Sequence, residues 1–135
     1  MASKSDTERH QYLNKSFGNT DYTPAATHYL ALYTSAPDET GGGTEVTGGS
    51  YARVAITNNV TNWPAAAAGE KANGTAATFI QATADWGTVV AWGIHSHITN
   101  DALLRFGTVN AGAGQFIASG DQLQFDVGDL VLSED

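Results

Sequence analysis

Apolar residues recur along this chain with two different periods, and the change falls shortly after residue 20. In the first stretch Leu13 and Phe17 are four apart with Tyr12 beside them, a narrow stripe at helical spacing. Ser5 followed by Glu8 has the spacing of a capping box, where each side chain satisfies an orphan backbone N–H. Gly18 stands where a left-handed helix stop is wanted. The pattern predicts a helix over residues 6–17 with mostly polar remaining faces. Three apolar anchors are few for a deeply packed helix, so it either docks on its own sheet or lies against a neighbouring subunit.

From residue 27 the period is two. Residues 28–33 form a nearly continuous apolar run, which suits a central strand covered on both faces. Residues 35–49 read as a long loop with Gly41, Gly42 and Gly43 in its middle. Residues 51–57 alternate, with Ala52, Val54 and Ile56 on one face and Tyr51, Arg53 and Ala55 on the other. Residues 58–73 are a second long, small-residue connection carrying Trp63-Pro64 and four alanines. A strand follows at 75–80, then a turn at Asp85-Trp86-Gly87. Residues 88–98 place Val90, Trp92 and Ile94 inward and Ala91, Gly93, His95 and His97 on the opposite face. Asn100-Asp101 turns the chain into 103–109, where Leu104 and Phe106 share a face. Leu123, Phe125 and Val127 alternate with polar residues, and 130–132 closes the chain. About seven or eight short strands with turn signals between them predict an all-β fold, an antiparallel β-sandwich or jelly roll. The expected organisation is an N-terminal helical arm over residues 1–20 and a sandwich over 21–135.

Composition narrows the function. The 135 residues carry six Lys and Arg against fourteen Asp and Glu, a formal charge of −8. Such a surface repels phosphate, so nucleic acid is not an expected partner. No polybasic patch and no apolar run near the ~20 residues of a spanning helix points to a membrane. The opening residues have no apolar leader, so the expectation is a protein made in the cytoplasm. With no cysteine, disulfides, thiolate metal sites and cysteine nucleophiles are excluded.

Few residues suggest chemistry. His95 and His97, at i and i+2 on a strand, would project from one face and could share a metal, but only Asp101 is near and no motif supplies a third ligand. Two surface or interface histidines are the plainer reading. Asp38, Glu39 and Glu45 could gather around calcium, yet their spacing is not that of an EF-hand loop. Gly41–Gly43 lacks the Gly-Lys-Ser/Thr of a phosphate loop, and Ser50 lacks the frame of a nucleophile elbow. Asp85, Asp101, Asp121, Asp126 and Asp129 fall at turns or outward positions, which leaves no walled pair for glycoside hydrolysis. No enzyme activity and no cofactor are expected. Trp92 belongs to the core. Trp63 and Trp86 lie beside loops, where they either plug the core or stand exposed as a carbohydrate platform or subunit contact.

Five stretches in order carry a resemblance. They are Tyr22-Thr23-Pro24-Ala25-Ala26-Thr27 running into Leu30-Ala31-Leu32-Tyr33-Thr34-Ser35-Ala36-Pro37; Gly48-Gly49-Ser50-Tyr51-Ala52-Arg53-Val54; Asn62-Trp63-Pro64-Ala65-Ala66; Ala82-Thr83-Ala84-Asp85-Trp86-Gly87-Thr88-Val89; and Ser119-Gly120-Asp121-Gln122-Leu123. Together they resemble small virion structural proteins of tailed bacteriophages, named as tail-fibre or minor virion proteins, with related folds serving as capsid cement or decoration. The resemblance implies no catalytic residues. It implies a particle protein, and the leading expectation is a cement protein that staples neighbouring subunits on the exterior. Its partners would be the major capsid protein or tail proteins, with homo-oligomers expected. The alternative is a tail-fibre or tail-tip component meeting host glycans; a small cell-wall hydrolase or carbohydrate-binding module is more distant. Contact residues would be Leu13, Phe17, Asp38, Glu45, Trp63, Trp86, His95 and His97.

Overall fold

The computed structural model describes residues 2–100 and 102–133. The chain runs β1 (Ser3–Lys4), α1 (Asp6–Ser16), β2 (Thr27–Ser35), β3 (Thr44–Glu45), β4 (Val54–Thr57), β5 (Glu70–Ala72), β6 (Ala77–Thr78), β7 (Gly87–Val89), β8 (Ala91–His95), β9 (Leu103–Thr108), β10 (Gln115–Ile117), β11 (Gln124–Phe125) and β12 (Val131–Ser133). The main sheet is ordered β1-β9-β8-β2-β3, with β4 also paired to β2, and every pairing in it is antiparallel. The long apolar run is β2, at the centre. It meets β8 on one side and, in succession, β4 and β3 on the other, and Leu30 to Tyr33 are all buried.

The second half of the chain pairs in nested order: β5 with β12, β6 with β11, β7 with β10 and β8 with β9. Residues 70–133 are therefore one long antiparallel hairpin, broken into short rungs, which is the winding rule of a jelly roll. Its tip enters the main sheet and its stem ladders face that sheet. The core lies between them, with Leu30, Leu32, Trp92 and Ile94 on one side and Phe79, Val89, Ile117 and Phe125 on the other. The result is an all-β sandwich with one N-terminal helix. Gly107 is required beneath Trp92, because a Cβ there would stand 2.5 Å from the indole Cζ2. Among the described residues, no helix is long and apolar enough to cross a membrane.

Two local expectations are corrected. Alternation from residue 88 places Val90 inward, but the chain bends between β7 and β8, and Val90 packs with Ala31, Tyr33 and Ala91 on the far face of the sheet. On β9, Leu104 and Phe106 share a face as expected; that face is the half-buried one, and Leu103, Arg105 and Gly107 on the other are buried. Strand β11 ends at Phe125, so Val127 sits in a turn, 63% exposed.

Candidate functional site

Helix α1 starts as the sequence reads, with Ser5 Oγ accepting from the Glu8 amide at 3.2 Å. Only half of the capping box forms. The Ser5 amide donates to Leu104 O at 2.8 Å, continuing the edge pairing of β1 on β9. The Glu8 carboxylate is drawn instead to Arg105, 2.6 Å from its Nε, and accepts the Tyr12 hydroxyl at 3.0 Å. Burial, and then Glu8, pushes the Tyr12 hydroxyl up to about 12. Arg105 also donates to Ser133 O at 2.7 Å, joining helix, β9 and β12. Arg9 reaches Glu39 at 2.7 Å, and the Lys4 ammonium lies 5.3 Å above the Tyr12 ring.

The helix thus docks through charged and hydroxyl groups, and its apolar stripe points away. Leu13 is 56% and Phe17 80% exposed, and no residue of α1 is buried. This inverts the usual arrangement of a surface helix, which buries its apolar face. The segment preceding it is anchored too: Ala2 is in the core and bridges Leu132. Beneath the helix a groove of about 1000 Å³ opens toward the loop around Val60, walled by Tyr12, Tyr22, His28 and Trp63. Of the charged groups at its wall, Glu8 is engaged with Arg105, and Lys71 with the carbonyls of Trp63 and Pro64.

The remaining residues named from the sequence fall in several separate places. Glu45 is held by Arg53 through two contacts, Nε to Oε2 at 2.9 Å and Nη2 to Oε1 at 2.8 Å, and accepts Tyr51 at 2.7 Å. Burial pushes its carboxyl up, but the Arg53 and Tyr51 hydrogen bonds outweigh this and hold it below the usual carboxylate value. Arg53 Nη1 donates to the carbonyls of His97 and Asn100, and the Tyr51 hydroxyl accepts the amide of Leu32 at 3.0 Å. This knot fixes the β8–β9 turn to the sheet. Asp38 accepts the amide and hydroxyl of Thr40, Glu39 takes Arg9, and Glu45 takes Arg53, so these three acids share no common centre.

His95 and His97 do not form a pair on one face. Strand β8 ends at His95, which is fully buried with Nε2 hydrogen bonded to the Tyr33 hydroxyl at 2.6 Å. His97 is in the exposed turn, its Nδ1 accepting the amides of Thr99 and Asn100. Asp101 lies outside the described residues. No group of three or more His, Asp or Glu among the described residues is placed to hold a metal. Trp63 and Trp86 are each 5% exposed, so the rings are core plugs and offer no platform. Trp63 packs edge-on to His28, and Trp86 donates to Gly49 O while meeting Tyr51 and Phe79. Asp85, Asp121 and Asp129 each accept a backbone amide and Asp126 a glutamine side chain, which accounts for them as turn builders. Sequence patterning missed the exposed apolar residues Val60, Ile80, Ile98 and Phe116, which sit singly at turns and short rungs where no period operates.

What the molecule offers is therefore a rigid sandwich with a surface helix turned apolar side out. No curated protein matches the chain. The model of the family described as Podophage GP4 fiber I protein gp80 matches residues 3–133. That match begins with the first residue of β1 and ends with the last of β12, taking in the docked helix together with the sandwich. The chain belongs to the podophage GP4 fiber I protein gp80 family, a phage fibre family, and is a structural component of the virion.

Proposed function

We propose that this protein is a non-enzymatic structural subunit of a phage tail fibre, joined to other virion proteins and to further copies of itself by surface contacts. The observation that carries the reading is the family match over residues 3–133, whose description is a fibre protein. That description favours the fibre over the capsid-cement role, which was the leading expectation from sequence. The surface supports a mechanical role: the acids that might have done chemistry are spent on turns and ion pairs. Of the contact residues named from sequence, Leu13, Phe17, Asp38 and His97 are exposed and are proposed as contacts. Trp63, Trp86 and His95 act from within the fold, as does Glu45 through its ion pair with Arg53. Host glycans are not assigned to Trp63 and Trp86, since neither ring is available for stacking.

Immunogold labelling of intact particles tests the assignment. Gold confined to fibres at the tail is the expected result. Gold distributed over the capsid shell would reinstate the cement role and overturn this one.

A further inference from the structure

We propose that Trp63 is an acid-released plug: protonation of His28 beside it frees residues 63–69 from the sheet and opens the groove beneath α1. Three observations carry it. First, one side chain holds down a long loop. Of residues 58–69, between β4 and β5, only Trp63 is buried, and all the others but Asn62 are exposed. Asn62 is pinned through Thr57 O, the Thr75 hydroxyl and the Gly74 amide. Beyond it, residues 63–69 are tied back by the indole and by the Lys71 ammonium on the Trp63 and Pro64 carbonyls, and their own turn pairs Ala67 with Glu70.

Second, the plug rests on a histidine that is poorly placed to carry charge. The His28 ring on β2 meets the indole edge-on, with ring centroids 5.9 Å apart. Its Nδ1 is buried without a hydrogen-bond partner among the described residues, as is Trp63 Nε1. A neutral ring tolerates this by carrying its proton on Nε2, which leaves a bare lone pair at Nδ1. Protonation places a hydrogen and a positive charge there. Trp63 Nε1 is a donor only and cannot accept that hydrogen. A buried charged donor left unsatisfied is costly, and swinging Trp63 out lets water reach it. Third, the surrounding charges do not compensate. Residues 58–69 contain no titratable side chain. Around the groove, α1 presents Glu8 and Tyr12, but Glu8 is committed to Arg105 of β9 and accepts the Tyr12 hydroxyl. Tyr22, from the chain between α1 and β2, packs against the Tyr12 ring. On β5, Glu70 is exposed, and Lys71 adds a second cation at the Trp63 carbonyl. Burial therefore decides, and it holds the His28 ring below the ordinary histidine value.

The test is hydrogen exchange of the three indole N–H groups in the isotope-labelled full chain from pH 8 to pH 5, each rate referred to free indole at the same pH. The signal missing in Trp63→Phe identifies that of Trp63. The expected result is that Trp63 is protected less than Trp86 and Trp92, whose release needs the core to open. Its protection should fall about tenfold per pH unit below the ordinary histidine value. His28→Gln, which takes up no proton, should flatten that fall. In the wild-type samples the His28 ring should titrate below the ordinary histidine value. Equal protection of all three indoles, a Trp63 protection that does not change with pH, or an unchanged fall in His28→Gln would overturn the plug. So would a His28 ring that titrates at or above the ordinary value, a result that holds whether or not the variant folds.

Discussion

The Glu8 carboxylate lies 2.6 Å from Nε of Arg105, and this contact ties the N-terminal helix to a strand near the other end of the chain. Both side chains are almost enclosed, at 12% and 6% exposure, so water contributes little to screening them. Removing one partner strands the other charge. Arg105→Met is expected to cost about 3–5 kcal/mol. Glu8→Gln, which keeps a hydrogen-bonding group, should cost about 1–3 kcal/mol. Urea unfolding of both variants and their double mutant checks this, and the double should fall short of the sum because the two residues interact directly.

Truncation of residues 1–20 separates two roles that the sequence alone could not. If the segment were only an arm, its loss would leave the sandwich intact. With Ala2 in the core and β1 covering part of β9, the truncated chain is expected to be less stable and to expose a pairing edge. Leu13→Ser and Phe17→Ser should leave the thermal midpoint nearly unchanged, since both side chains face solvent. Thermal melts of the three proteins by circular dichroism make the comparison.

Much of the fold was legible in the sequence, and what was not has a physical cause. The run at Leu30–Tyr33 reads as a central strand because full burial leaves no polar alternation, and it is one. The start of α1 is legible because a cap is a local interaction. Its orientation is not, because periodicity identifies a stripe but not which side faces the protein. That is decided by Arg105, far away in sequence. His95 shows the same limit: alternation gives its face correctly, but not that Tyr33, from another strand, covers that face. The nested ladders were missed as pairings because rungs of two or three residues carry too few positions to set a register.

Acid should weaken the protein in two stages. His28 is held below its usual value by burial, so its folded state favours the neutral ring. Its stabilising contribution is complete above the ordinary histidine value and is lost as pH falls through the lower folded value. Glu45 follows at more acidic pH: burial pushes it up, the Arg53 and Tyr51 bonds outweigh this, and its contribution is lost below the ordinary carboxylate range. Unfolding free energy measured from pH 8 to pH 3 should lose its first decline in His28→Gln and its second in Glu45→Gln. On the alkaline side Tyr12, raised to about 12, gives stability that is complete below 10 and lost as pH rises through the folded value.

Gly107→Ala tests the packing of the core directly. Its Cβ would fall 2.5 Å from Trp92 Cζ2, so the indole or the β8–β9 pairing must move. A loss of about 1–3 kcal/mol is expected, with a changed near-ultraviolet spectrum reporting the displaced ring. An unaltered spectrum and melting curve would contradict the packing described for Trp92.

The central claim, that this is a fibre component of the virion, is tested most directly by counting. Quantitative mass spectrometry of purified particles gives the copy number of this protein against the major capsid protein. A fibre subunit should be present at a small number of copies per particle, far below the capsid protein. A ratio near one, or near a simple fraction of the capsid copy number, would contradict the fibre assignment, and complete absence from the particle would contradict a place in the virion altogether.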